Sequence, residues 1–247
     1  MKLCLAIDDS DWKEYKSEIL KSKYILASFY YIQKSIKEIK QANFDLFLLD
    51  SGAFTFMFSK KHVKLKELEI YLDKYIEFIN KYDIKYFFEL DVDSLFGYEQ
   101  VLKFREKLER ETGKKCIPVW HKSRGKDEFI KMCKEYDYGA IGGIVTKEIK
   151  KDNDLFSALN KLANSYGCKL HGLGYTNSNN LHKSLLYSVD STTWKTGKRF
   201  ASIYQFKNDK LTQVKKGKGK GRLKDFRKLD IHNLRQWIMY QQYLERF

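Results

Sequence analysis

Carboxylates follow three short, mainly apolar runs of this sequence, each at the residue where the run ends. Asp50 follows "LFLL", Asp91 follows "FFEL" and Asp190 follows "LLYSV". Two carboxylates facing one substrate suit displacement at a sugar C1′, in which one attacks the anomeric carbon and the other moves the proton of the leaving or entering group. An aspartate after a strand also commonly caps the next helix, so residue type alone leaves both roles open.

Other residues suited to ligand binding lie at similar positions. Ser51 and Gly52 leave room for a ligand beside Asp50, and Phe54 offers a flat ring. The remaining candidates are Asp93, Trp120, His121, Gly142, Gly143 and Tyr175. Aromatic rings suit stacking on a heterocycle, and backbone N–H groups at a glycine pair suit donation to a carbonyl oxygen. The alternatives are a glycine pair that only relieves crowding and a histidine without a chemical role.

These residues need elements that bring them together. The apolar runs cover 2–8, 24–31, 44–54, 84–93, 115–121, 138–145, 169–176 and 185–194. Most are apolar on both faces, which is typical of strands in a parallel sheet. Helical patterns such as 64–82 and 97–113 separate them. The alternation predicts an α/β fold, a (β/α)8 TIM barrel with its active site at the carboxyl ends of the strands; a doubly wound open sheet is the alternative.

The pattern changes after the last run. We expect a barrel domain over 1–200 and a short basic C-terminal extension over 201–247 that packs on the barrel. Within the extension, the sequence predicts a hairpin that turns at 208–209, a glycine-interleaved basic run over 215–222, and a terminal helix with Asp230 as its N-cap.

Composition narrows the range of partners. The formal net charge is +15, which favours polyanions through counterion release, although a Lys-rich, AT-biased coding sequence would give the same surplus. The four cysteines are far apart, without the closely spaced pairs typical of zinc sites. No apolar run is long enough to span a membrane and no signal-peptide pattern is present, so we expect a cytosolic protein.

Several segments together resemble a known enzyme family. "LLDSGAF" resembles the D-S-G-G-[FY] segment of the tRNA-guanine transglycosylases. The segments "FELDVD", "AIGGIV", "HGLGYT" and "LLYSVDSTTW" resemble later parts of the same family, in the same order, over roughly 44–194. These enzymes are TIM barrels that exchange guanine for a 7-deazaguanine, so the resemblance implies that fold and that activity.

The chain departs from the tRNA enzymes in two respects. It has no cysteine after Cys168, so the C-terminal zinc site of that family is missing or replaced. Thr193 stands where the family has a second aspartate, which leaves Asp190 as the only carboxylate of that segment. In both respects the chain looks more like the zinc-free DNA-guanine transglycosylases of 7-deazaguanine DNA modification, some of which are phage-encoded.

The resemblance implies a role for each candidate residue. Asp190 corresponds to the nucleophile and Asp50 to a general acid/base. The base-binding set that it implies is Ser51, Gly52, Phe54, Asp91, Asp93, Trp120, His121, Gly142, Gly143 and Tyr175. Within this set, Phe54 stacks on the base, Asp91 accepts from the guanine N1 and exocyclic amine, and the glycine pair donates to the base carbonyl.

The expected function is exchange of guanine for a preQ0-like or preQ1-like base in DNA, with tRNA as the alternative polymer and no metal or other cofactor. The expected nucleic-acid contacts are Lys195, Lys198, Arg199, Lys215, Lys216, Lys218, Lys220 and Arg222. A barrel glycosidase or hydrolase acting on a small substrate and a non-catalytic nucleic-acid-binding barrel stay open. The expected location is the cytoplasm, that of the host if the chain is phage-encoded.

Overall fold

The computed structural model describes residues 1–57, 63–176, 180–200, 202–214 and 226–247. Its strands are β1 (Lys2–Ile7), β2 (Tyr24–Ser28), β3 (Leu46–Asp50), β4 (Val119–Trp120), β5 (Tyr138–Ile141), β6 (Lys169–Gly172), β7 (Ser188–Ser191), β8 (Ile203–Lys207) and β9 (Lys210–Val214). Its helices are α1 (Asp9–Ile19), α2 (Ile36–Gln41), α3 (Ala53–Met57), α4 (Leu65–Lys81), α5 (Asp93–Phe96), α6 (Tyr98–Thr112), α7 (Gly125–Glu135), α8 (Asn153–Asn164), α9 (Thr196–Phe200) and α10 (Phe226–Leu244).

Seven parallel strands form one curled sheet in the order β3-β2-β1-β7-β6-β5-β4. They lie within seven of the predicted apolar runs, which confirms the α/β class. The remaining run, 84–93, forms no assigned strand. It makes one isolated parallel bridge to each edge of the sheet, Leu49 with Phe87 and Phe88 with Ile117. The sheet therefore differs from the predicted closed barrel of eight assigned strands.

The short pairing of run 84–93 has a local cause. Two backbone hydrogen bonds join it to the segment just before β4. The N–H of Ile117 donates to the carbonyl of Phe87 (2.8 Å), and the N–H of Glu89 donates to the carbonyl of Ile117 (3.1 Å). The next donor, the N–H of Val119, bonds to the carboxylate Oε1 of Glu89 at 2.7 Å instead of a backbone carbonyl. Because a side-chain oxygen replaces the backbone acceptor at this point, the regular strand pairing of the run is limited to Phe87 and Phe88.

Successive side chains of the sheet alternate between two apolar layers. On β1, Leu3 and Leu5 pack in the layer that contains helix residues, whereas Cys4 and Ala6 belong to a separate inner layer. The buried members of this inner layer are Cys4, Ala6, Tyr24, Leu26, Leu46, Leu48, Phe88, Ile117, Val119, Tyr138 and Ala140. They come from β1, β2, β3, β5, run 84–93 and the β4 region, so the sheet curls around a common interior.

Helix α4 contacts both β3, the edge strand of the sheet, and run 84–93, which lies next to it. Its apolar face, which includes Leu68 and Leu72, is buried, and the hydroxyl of Tyr75 donates to the carbonyls of Leu49 (3.2 Å) and Phe88 (2.9 Å). These carbonyls belong to β3 and to run 84–93, so one side chain links both. Gly113 is the last residue of the predicted helical pattern 97–113; it has a φ of +66° and is the C-cap of α6, which is typical of glycine at a helix end.

The C-terminal extension combines a hairpin with the last helix. Strands β8 and β9 pair antiparallel around Asn208 and Asp209, whose φ values are 50° and 62°, which confirms the predicted turn. Helix α10 begins at Phe226, so the prediction that Asp230 is its N-cap is wrong; Asp230 lies inside the helix and accepts the Tyr15 hydroxyl at 3.1 Å. The basic run 215–222 lies outside the described residues. None of the described helices combines the length and apolar character needed to cross a bilayer.

We expect Gln241 of α10 to be a main anchor of this helix on the sheet. Its amide nitrogen donates to the carbonyls of Leu3 (2.7 Å) and Tyr24 (3.0 Å), and its oxygen accepts the N–H of Lys23 (2.9 Å). Gln241→Ala leaves these buried groups unpaired and should lower the free energy of unfolding by about 2–4 kcal/mol. The exposed neighbour provides the control, since Gln242→Ala should change it by less than about 0.5 kcal/mol in urea titrations. Equal effects of the two substitutions would contradict this role.

Candidate active site

Asp50 ends β3 and continues the inner series of Leu46 and Leu48. Its Oδ2 accepts the N–H of Gly52 at 3.0 Å. Gly52 has a φ of +81°, and a Cβ there would lie 2.8 Å from the Tyr71 hydroxyl, so the turn after Asp50 requires glycine. Burial raises the pKa of Asp50 to about 6, against the opposing effect of the Gly52 bond. A carboxyl group with this pKa exchanges a proton readily near neutral pH, as a general acid/base must.

Asp190 lies at the inward position of β7, paired in register with the inner residue Cys4. Its Oδ1 accepts two hydrogen bonds, from the N–H of Gly174 (2.7 Å) and from Nε2 of His171 (3.2 Å). Its Oδ2 has no hydrogen-bond partner within the described part of the chain. The side chain is 12% exposed. One oxygen is held and the other is open, which is the arrangement that a nucleophilic carboxylate needs.

Asp50 and Asp190 belong to one electrostatic site. The negative charges of Asp190 and Asp91 both add to the rise in the pKa of Asp50, after burial as the largest cause. The three carboxylates that the sequence places after separate strands therefore interact in the folded protein. Neither Asp50 nor Asp190 caps a helix: Asp50 accepts from Gly52 in the β3 turn, and Asp190 is bonded within the sheet interior.

Asp91 and His121 form the second part of the site, with a carboxylate that the sequence patterns did not single out. His121 Nε2 lies 2.7 Å from Asp91 Oδ2, and His121 Nδ1 lies 3.1 Å from Glu148 Oε2. Burial lowers the pKa of His121, but the two carboxylates outweigh it and the net pKa is raised. Glu148 also accepts the N–H of Ser123 at 2.8 Å, which fixes its orientation.

Arg124 holds the aspartates of run 84–93 in place. Its guanidinium lies 3.2 Å from Asp91 Oδ1 and 2.8 Å from Asp93 Oδ2, and it packs over the Tyr98 ring at 4.1 Å from the centroid. Asp93 is thus engaged in an ion pair at the start of α5. No sequence motif marked Arg124, because its role depends on two carboxylates about thirty residues away.

Two aromatic residues of the predicted base-binding set, Trp120 as a base contact and Tyr175 as a stacking ring, are buried in the outer layer instead. Trp120 donates from Nε1 to the Gly125 carbonyl (2.9 Å) and packs edge-on against Phe129. Tyr175 is fully buried, packs on Phe156 at 4.4 Å between ring centroids, and donates to Asn153 Oδ1 at 2.5 Å. Neither ring presents a face to a ligand, so these two assignments are wrong. Because successive side chains of a strand point to opposite faces, an aromatic residue near a strand end packs in the layer on its own face.

The glycine pair makes room for the histidine. The N–H of Gly142 donates to the Trp120 carbonyl at 2.9 Å, so it is not available for a base carbonyl and that assignment is wrong. A Cβ on Gly142 would lie 2.9 Å from His121 Nε2, and one on Gly143 would lie 2.7 Å from Glu148 Oε2. Gly143 has a φ of +74°, and its N–H makes no hydrogen bond to any described residue.

The other predicted site residues lie as follows. Phe54 is 47% exposed on α3, four residues after Asp50. Ser51 is buried, and its carbonyl accepts the Tyr71 hydroxyl at 2.7 Å. An exposed ring suits stacking on a base, whereas the buried Ser51 suits only a backbone role.

Lys195 is not available for a phosphate. It forms ion pairs with Asp8, at 3.0 Å, and with Asp11, so its charge is already paired and the prediction of a phosphate contact is wrong. The side chains of Lys198 and Arg199 lie outside the described residues, as do Lys215, Lys216, Lys218, Lys220 and Arg222.

Comparison with known proteins adds no family to this geometry. No family model matches the chain, and no curated protein is significantly similar to it. Among the described residues, no three His, Cys, Asp or Glu side chains are grouped so as to hold a metal ion.

The raised pKa of Asp50 predicts a pH-dependent gain in stability on removing its charge. The pKa is about 6 in the folded protein against an ordinary 3.8, so folding stability is lost as the pH rises through this interval. Asp50→Asn should therefore raise the free energy of unfolding by about 3 kcal/mol at pH 7 and by less than about 1 kcal/mol at pH 4. Urea titrations at both pH values test this, with the exposed Asp45→Asn as control. An equal change at both pH values would contradict it.

The two carboxylates around His121 predict its titration. NMR titration of the imidazole should give a pKa above the ordinary 6.5, and Glu148→Gln should lower it. Because the folded-state pKa is raised, protonated His121 stabilises the fold below pH 6.5, and this contribution is lost as the pH rises through its folded-state pKa. Glu135→Gln, at the exposed end of α7, is the control. A pKa that does not respond to Glu148→Gln would show that the two side chains do not interact in solution.

Proposed function

We propose that this protein is a DNA-guanine transglycosylase, which exchanges guanine for a 7-deazaguanine such as preQ0 or preQ1 by double displacement at C1′. The observation that carries the proposal is the contrast between two interacting carboxylates. Asp50 has a raised pKa, which suits proton transfer. Asp190 has one oxygen held by two donors and one open oxygen, which suits nucleophilic attack. Divergent environments of this kind assign the acid and the nucleophile.

The two displacements follow from these roles. Asp190 Oδ2 attacks C1′ while the bond from C1′ to guanine N9 breaks, and protonated Asp50 gives its proton to the leaving guanine. The result is a covalent glycosyl ester on Asp190 and an ionised Asp50. The 7-deazaguanine then enters, Asp50 takes its N9 proton, and N9 attacks C1′ as the ester bond breaks. Both carboxyl groups return to their starting states.

The base would be read by the second part of the site. Guanine offers donors at N1 and its exocyclic amine, which match the carboxylate of Asp91, and an acceptor at O6, which matches the unpaired N–H of Gly143. The exposed ring of Phe54 supplies a stacking face. Arg124 and His121 each bond to one oxygen of Asp91, so the acceptor is held in one orientation.

We also propose that run 84–93 acts as the eighth strand of a closed (β/α)8 barrel. Leu49 N donates to Tyr86 O at 3.0 Å and Phe88 N donates to Leu49 O at 2.9 Å, and the bonds to Ile117 continue the pattern on the other side. Phe88 lies in the inner layer together with residues of both sheet edges. In a closed barrel Asp50, Asp91 and Asp190 share one mouth, which is where catalysis occurs in this fold.

DNA is the polymer that we favour, with the reaction taking place in the cytoplasm. The chain carries a net charge of +15 and lacks the cysteines of the zinc site found in the tRNA enzymes that it resembles. Because the target base lies inside a stack, it must be turned out into the site at a cost of a few kcal/mol.

Base exchange tests the proposal directly. The purified protein is incubated with DNA or tRNA and with labelled guanine or preQ0, and incorporation is measured. We expect label in DNA. Asp190→Asn should slow exchange by at least about a thousandfold, and the denaturant-stable protein–DNA adduct should no longer form. Asp50→Asn should slow exchange by about 10²–10⁴-fold. Asp45→Asn is the matched control and should behave like the wild type.

The outcomes separate the alternatives. Label in tRNA but not in DNA would change the polymer and keep the chemistry. Release of base without incorporation would favour a hydrolase, in which water takes the place of the incoming base. Binding of DNA with neither adduct nor base release would favour a non-catalytic protein.

A further inference from the structure

A buried chain of hydrogen bonds continues from Asp190 into the interior of the sheet. His171 Nε2 lies 3.2 Å from Asp190 Oδ1, and His171 Nδ1 lies 2.7 Å from Ser188 Oγ. Ser188 Oγ is in turn hydrogen-bonded to the hydroxyl of Tyr138. His171 and Ser188 are fully buried, and the ring of Phe88 packs edge-on against the imidazole.

Neighbouring strands supply the members of this chain. Tyr138 is the first residue of β5, His171 lies in β6, and Ser188 and Asp190 lie in β7. His171 pairs in register with Ser188, so the serine is its direct neighbour across the sheet. Three parallel strands hold the imidazole, which makes its ring orientation a property of the sheet and not of a loop.

The direction of the hydrogen bonds follows from donors and acceptors. Ionised Asp190 only accepts, so Nε2 of His171 must carry a hydrogen. Nδ1 then accepts from the hydroxyl of Ser188, whose oxygen accepts from the hydroxyl of Tyr138. In the opposite direction the Tyr138 hydrogen would have no acceptor among the described residues, and an unpaired buried donor is costly. The hydrogen-bonded series thus presents an N–H at Nε2 of His171 that donates to Asp190.

We propose that His171 is a positioning residue for the nucleophile. Together with the N–H of Gly174, it holds Oδ1 of Asp190 and thereby directs the open Oδ2 toward C1′. The assignment rests on the function proposed above for Asp190. Ser188 and Tyr138 act through His171 by holding it as a donor at Nε2.

The same two donors act on the covalent intermediate. In the ester, Oδ2 is bonded to C1′ and Oδ1 is the carbonyl oxygen. Hydrogen bonds to a carboxylate are stronger than those to a neutral carbonyl, so both donors stabilise free Asp190 more than the ester. When the bond between C1′ and Oδ2 breaks and the bond from C1′ to N9 of the entering base forms, the electron pair returns to a carboxylate whose Oδ1 already accepts two hydrogen bonds. His171 therefore favours the second displacement.

The test combines exchange rates with the amount of adduct. His171→Leu removes the donor, and we expect exchange to slow by about tenfold or more. At a fixed guanine concentration, the equilibrium share of protein that carries the glycosyl adduct should rise, which a purely structural defect would not cause. His171→Gln keeps an N–H near the position of Nε2 and should restore both quantities to within a few-fold of the wild type.

A second test variant and a control complete the experiment. Ser188→Ala removes the hydroxyl that is bonded to His171 Nδ1 and should also slow exchange. This variant tests the hydrogen-bonded series if His171→Leu does not fold. His182→Leu is the control: this histidine is stacked on Phe247 and takes no part in the hydrogen bonds behind Asp190, so exchange should be unchanged. Thermal unfolding midpoints show which variants are folded.

The outcomes distinguish this assignment from the function on which it rests. If the wild type exchanges bases and folded His171→Leu and Ser188→Ala do so equally well with an unchanged share of adduct, the assignment is wrong and the function stands. A loss in His171→Gln as large as in His171→Leu would also overturn it, because the donor would not be what matters. A wild type without exchange or adduct on DNA or tRNA would overturn the function and the assignment together.

Discussion

The curled sheet commits every second side chain of its strands to one confined inner layer, and the candidate site depends on this constraint. Most of the layer is apolar, with Cys4, Leu48 and Phe88 among its buried members. Asp50 and Asp190 occupy the same inward series at the ends of their strands. A carboxylate at such a position loses hydration, so its protonation and its hydrogen bonds are set by the few groups that reach it.

The two carboxylates differ because different groups reach them. Asp50 receives one backbone N–H and the repulsion of two neighbouring charges, so burial dominates and its pKa rises. Asp190 receives an N–H and an imidazole on one oxygen. The same confinement explains why the polar groups behind Asp190 form a continuous chain, since a buried hydroxyl or imidazole without a partner would destabilise the fold. The contrast between the two carboxylates is therefore a consequence of packing as much as of residue type.

The rest of the site is organised by buried ion pairs that anchor run 84–93. Glu89 binds Arg105 at 2.6 Å and also accepts the N–H of Val119, which ends the strand pairing of the run. The chain then turns, and Arg124 holds the two aspartates that follow. Irregular backbone at this place lets Asp91 meet His121, and the bare backbone of Gly142 leaves the space that the imidazole ring occupies.

The hydrophobic pattern of the sequence determined the α/β class and the positions of seven strands. The end of α6 at Gly113 and the turn at 208–209 follow from glycine, asparagine and aspartate, which adopt positive φ more readily than other residues. The hydrophobic pattern also singled out Asp50, Asp91 and Asp190, since polar residues after apolar strands are visible in any sequence. Only the tertiary structure decided which aromatic rings are buried, as those of Trp120 and Tyr175 are, and which groups Lys195, Glu148 and His171 contact. Those contacts join residues far apart in the chain, and no local period records them.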